Sequence, residues 1–112
     1  MTDSEYLELA AKAAGIELRW HPDGTAYSDS RCKDYWGVWN PLTDDGDALR
    51  LAVKLFMFVD SAAGAPDSFG AELVRAGNEV VDKTEPRTHN DPYADTRRAI
   101  VRAAAEIGRN MK

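Results

Sequence analysis

Asp44-Asp45-Gly46-Asp47 places three carboxylates within four residues. Carboxylate oxygens are the usual ligands of Ca²⁺ and Mg²⁺. The spacing is not that of an EF-hand loop, and no distal Glu stands where a bidentate ligand is needed. Acids at a helix start have a simpler use: the cap accepts free backbone N–H groups, and the helix dipole favours anions. His21, His89 and the single Cys32 include the residue types of a zinc or Cys–His site. Such sites show paired ligands at close spacing, which this chain lacks. His21 precedes a proline and His89 sits in a polar stretch, so both read as turn residues. A glycine-rich phosphate loop, a Ser-His-Asp arrangement and a deaminase signature are absent from the sequence. No catalytic residue, metal or cofactor is expected.

Two other groups of side chains suit recognition. Arg98, Arg102 and Arg109 follow helical spacing, with Arg97 beside them, and form a basic stripe. Phosphate contact is the sharp reading; a solvated face, or pairing with acids elsewhere in the chain, is the plain one. Trp20, Trp36 and Trp39 are dense for 112 residues. Alternation along a strand sends 36 and 38 to one side and 37 and 39 to the other. One tryptophan is therefore expected in the core and another in reach of a partner, where exposed aromatics serve as hot spots. The candidate partner-binding surface is Tyr35, Trp36, Trp39, Arg98 and Arg102. A small-ligand site would instead use Tyr35, Trp36 and the acids near Asp44.

These residues must be positioned by helices and strands. Thr2-Asp3-Ser4-Glu5 fits a capping box opening a helix, with Tyr6, Leu9, Ala10 and Ala13 on one face and Gly15 beyond its end. Ile16 to Trp20 alternates as a strand. His21-Pro22-Asp23-Gly24 is a turn, and Thr25-Ala26-Tyr27 restarts a short second strand. Asp29 to Asp34 reads as a loop. Tyr35 to Trp39 is a third strand, ended by Asn40-Pro41. Helix two starts at Thr43 or Asp44. Leu51, Leu55 and Val59 line its face, widened by Phe56 and Phe58, and Ser61 to Asp67 closes it. Glu72 to Arg75 and Glu79 to Asp82 flank Ala76-Gly77-Asn78 as a hairpin. Thr84 to Asn90 is a polar loop. Helix three takes Asn90 or Asp91 as cap and Pro92 at its first position. Its apolar face is Tyr93, Ile100, Ala103, Ala104 and Ile107. Connections this short cannot make parallel crossovers. The expected fold is α+β: helices packed on a mainly antiparallel sheet, an α/β/α sandwich in the order α-β-β-β-α-β-β-α, as one domain over 1–112.

Hydrophobic content of 44% suffices for one core, and the 29% of charged residues is interspersed. The longest apolar run, Leu55 to Val59, is far from the roughly 18 residues of a membrane span. The acidic N-terminus has the wrong sign for a signal or transit peptide. With one cysteine no internal disulfide forms, and the default is a cytoplasmic protein. The net charge of −5 disfavours direct nucleic-acid binding. That charge is uneven: residues 1–47 have a net of −6 and residues 84–112 a net of +2. Proximity of the two ends would neutralise both.

Trp39-Asn40-Pro41-Leu42-x-Asp44-x-x-Asp47-Ala48-x-x-Leu51-Ala52-x-x-Leu55 is similar to a segment of small phage and prophage proteins with a phage ABA-sandwich domain. Asp91-Pro92-Tyr93-Ala94-x-Thr96-Arg97-Arg98-Ala99-Ile100-Val101, continuing to Gly108, resembles that family's C-terminal helix. The Leu9-Ala10-x-x-Ala13-x-Gly15 region also fits. The resemblance spans Tyr6 to Gly108, most thinly from Ser61 to Asn90, and the unbroken Leu55 to Val59 run departs from it. It implies a helix–sheet–helix sandwich encoded by tailed phages or prophages in a bacterial host, and it implies no reaction. The expected function is that of a non-enzymatic accessory protein that binds another protein, from host or phage. Alternatives are an inhibitor of a host nucleic-acid defence complex acting through an acidic surface, a virion or assembly component, and a small-ligand binder.

Overall fold

The computed structural model describes residues 2–32, 35–63, 73–88 and 90–111, with only the backbone described at 29–32, 35, 36, 62 and 63. Helix α1 (Asp3–Ala14) opens on Thr2, whose hydroxyl accepts from the Glu5 N–H at 3.2 Å. Gly15 closes it at φ 69°, a left-handed conformation that carries no Cβ clash in glycine. Helix α2 (Asp45–Lys54) is capped by Asp44, which accepts from the Asp47 N–H at 2.7 Å. Helix α3 (Pro92–Arg109) is capped by Asp91, whose carboxylate accepts from the Tyr93 and Ala94 N–H groups. Pro92 stands at its first position, where a missing N–H is no loss.

The strands form two antiparallel three-stranded sheets. The first holds β1 (Leu18–Trp20), β2 (Ala26–Cys32) and β3 (Tyr35–Val38) in sequence order. The second holds β4 (Phe58–Ala63), β5 (Leu73–Gly77) and β6 (Asp82–Pro86), also in order. The α+β class and the antiparallel pairing agree with the sequence reading. The element order is α-β-β-β-α-β-β-β-α, with one strand more than expected.

Several boundaries differ. Helix α2 stops at Lys54 rather than continuing to Val59. Phe58 and Val59 pair instead with Gly77 and Ala76, and this ladder satisfies their backbone. The β5–β6 turn is Asn78–Val81, two residues later than expected. The Asn78 side chain closes it by accepting from the Val80 and Val81 N–H groups at 2.9 and 3.1 Å. Strand β6 occupies residues partly assigned to a polar loop; it is an edge strand, and among its residues only Glu85 is buried. Strand β2 runs on to Cys32 through residues whose polarity suggested a loop.

Helices α1 and α3 make the most extensive contact in the molecule. Small residues allow it: Ala10, Ala11 and Ala14 are buried on α1, and Ala99, Ala103 and Ala104 on α3. At Gly108 a Cβ would strike the Leu9 carbonyl, so the backbones meet there without a side chain between them. Helix α3 also lies on β4–β6, where Val74 and Ala76 are fully buried. Asp60, Arg75 and Thr84 share the other face of that sheet by register and are exposed, without a second helical layer among the described residues. Helix α2 packs beside α3. Leu18 and Trp20 of the first sheet are half-buried against the common core. The molecule measures 46 × 30 × 26 Å.

Candidate functional site

The acids around α2 are occupied by the fold. Asp47 is buried, and its carboxylate accepts from the Asn40 N–H at 3.0 Å and from Arg50 Nη2 at 2.7 Å. The Asn40 side chain accepts from the Leu42 N–H at 3.0 Å, forming an Asx turn over the fully buried Pro41. Arg97 of α3 donates Nε to the Leu42 carbonyl at 2.8 Å and Nη1 to Asp45 at 2.5 Å. Asp44 caps, Asp45 tethers α3, and Asp47 holds the preceding turn. The segment from Trp39 to Arg50 is thus a clamp joining the first sheet, α2 and α3. Among the described residues no group of three or more His, Cys, Asp or Glu side chains is gathered to hold a metal. His21 is an exposed turn residue, its Nδ1 3.2 Å from the Asp23 carboxylate. The Thr25 backbone N–H, donating to that carboxylate at 2.9 Å, holds the Asp23 pKa below the ordinary value. His89 and the Cys32 side chain lie outside the described residues.

Of the five sequence-derived surface residues, the three whose side chains are described do not form a shared exposed patch. Trp39 is only 3% exposed and belongs to the core, so it offers no partner surface. Tyr35 and Trp36 stand on β3, an edge strand, and their side chains lie outside the description. Arg98 and Arg102 are on α3, whose principal neighbours are α1, α2 and the second sheet. Arg98 is 4.0 Å from Asp3. Arg102 bonds Glu85, which raises the guanidinium pKa further. Arg109 lies 3.9 Å from Glu106, and Glu106 equally far from Lys83. The basic stripe is therefore paired, and Asp3–Arg98 and Asp45–Arg97 join the acidic first half of the chain to the basic last quarter.

What the structure brings together is different. An open groove of about 590 Å³ lies between α2, the first half of α3 and β4. Ala48, Leu49, Ala52, Val59 and Ile100 make its apolar wall, and Arg87, Arg97 and Tyr93 also line it. Arg97 is compensated by Asp45. Arg87 donates Nη2 to the Ser61 carbonyl, while its buried Nε has no partner among the described residues.

An exposed apolar ridge adjoins the groove. Leu49 and Val53, one turn apart on α2, are 64% and 66% exposed. Phe56 follows at 90% exposure with φ 54°, a left-handed backbone uncommon for a bulky residue. Asn78 Nδ2 reaches the Leu55 carbonyl at 3.4 Å, which brings the turn carrying the exposed Val80 alongside. The sequence pattern assigns Phe56 to the buried stripe of a longer helix and Tyr93 to the apolar face of helix three. Both are exposed. The spacing of Phe56 and Phe58 by two residues, a strand period, was the available signal.

Comparison with protein-family models, with curated proteins and with solved structures gave no match.

Proposed function

We propose that this protein acts by binding another protein, without catalysing a reaction, and that it docks through the ridge of Leu49, Val53 and Phe56. The carrying observation is Phe56: a large aromatic ring 90% exposed on a backbone at φ 54°. Such a backbone costs about 1 kcal/mol or more, and strain of this kind is concentrated at functional positions. Exposed aromatics next to aliphatic side chains are the usual anchors of protein interfaces. The resemblance of the Trp39–Leu55 and Asp91–Gly108 segments supports an accessory protein of phage or prophage origin, acting in the bacterial cytoplasm on a host or phage partner.

The test is capture from bacterial lysate, with and without phage infection, by the wild-type chain and by Phe56→Asn. Asparagine tolerates the left-handed backbone and removes the ring. A defined partner retained by the wild type and lost with the variant is expected, at unchanged circular dichroism. Capture of no defined partner, or equal capture by both chains, would contradict the proposal.

A further inference from the structure

Among the described residues strand β4 pairs only with β5, and no strand of those residues neighbours its other edge. That strand also borders the groove through Val59 and Ser61. Helices α2 and α3 line the rest of it, so the helical layer extends past the last strand of the sheet. The wall is mainly apolar, yet Arg87 brings a guanidinium that no carboxylate of the described residues compensates and an Nε without an acceptor. An anionic oxygen from an occupant would compensate a cationic group so placed.

We infer that the groove receives an extended segment of the partner protein, adding a strand to the β4 edge with an acidic side chain against Arg87. Main-chain pairing supplies affinity in this mode, and alternate side chains supply specificity. An apolar side chain of the segment would enter the wall between Leu49 and Ile100, two residues from the acid, since alternate residues of a strand share a face. The inference rests on the protein-binding reading above and names the chemistry of the partner.

The experiment is selection of displayed random dodecapeptides on the immobilised full chain, followed by fluorescence titration of the enriched peptides. Enriched sequences should combine an acidic residue with an apolar residue at i±2. Changing that acid to its amide should weaken binding at least tenfold, as should Arg87→Met. Leu49→Asp, on the exposed rim, tests the same groove should Arg87→Met fail to fold. Insertion of proline into the peptide should abolish binding, because strand pairing needs its N–H groups. No enrichment, peptides without an acid, or binding unaffected by Leu49→Asp would overturn the inference. So would displacement of the peptides by octanoate at equal affinity, which would mark a site for small amphiphiles. Lysate capture that still depends on Phe56 while peptide binding fails would remove the groove and leave the ridge.

Discussion

Asp47 shows how a chemically suggestive side chain is consumed by the fold. Its carboxylate is the acceptor for a backbone N–H of the Asn40 turn and for Arg50. Asp47→Ala would leave that N–H without its partner and should destabilise the chain by about 2–3 kcal/mol, measurable by urea denaturation. Asp47→Asn keeps an acceptor and should cost less. Phe56 should behave in the opposite way. Its ring is exposed, so Phe56→Asn should leave the melting temperature unchanged or slightly raised, whereas Phe56→Val, β-branched at positive φ, should lower stability by about 1–2 kcal/mol. Asp82 offers a pH test. Arg75 donates to its carboxylate at 2.9 and 2.7 Å and holds its pKa below the ordinary value. The stabilisation is then complete above the unfolded pKa and disappears as pH falls through the lowered folded one. NMR titration should place the Asp82 midpoint below that of an unpaired aspartate, and Arg75→Met should raise it to the ordinary value. At this scale the sequence was informative about acids at helix starts. It did not separate the buried Trp39 from an exposed aromatic, because that distinction depends on which elements cover the strand end.

Helix starts were legible for a local reason. Thr2, Asp44 and Asp91 bond backbone groups within three residues of themselves, and Gly15 closes α1 through its own φ. The second sheet was not legible to the same degree. The run from Leu55 to Val59 satisfies a helical period and a strand period alike, and pairing with residues some 15 to 20 positions away decides between them. Strand β6 carries almost no hydrophobic signal and is fixed by its ladder with β5 and by the Glu85–Arg102 contact. The groove was beyond reach for the same reason, since it joins residues 45–61 with residues 87–100. The element-scale prediction concerns α1 and α3. Gly108→Ala places a methyl group against the Leu9 carbonyl, so the helices must separate. A loss of about 3 kcal/mol is expected, near the upper end of overpacking costs. Thermal melting would measure it, and an unchanged Tm would show that the helix pair does not need the close approach.

Across the whole molecule, the charges of α3 and the exposed apolar residues have separate roles. Long-range ion pairs such as Asp45–Arg97 and Asp3–Arg98 tie the acidic first half to the basic last helix. Those charges are spent within the molecule, so a partner would meet the uncovered apolar ridge and the groove beside it. No helix among the described residues is long and apolar enough to cross a membrane. Binding through an apolar ridge should depend weakly on ionic strength, because screening acts on separated exposed charges and not on apolar burial, and a carboxylate against the half-buried Arg87 is screened little. Raising salt from 0.05 to 0.5 M should therefore change partner affinity by less than about threefold. The most direct measurement is the affinity of the captured partner for the wild-type chain and for Phe56→Asn, by biolayer interferometry at equal fold content. A loss of at least tenfold, about 1.4 kcal/mol, is expected for the variant; equal affinity within twofold would contradict docking through Phe56.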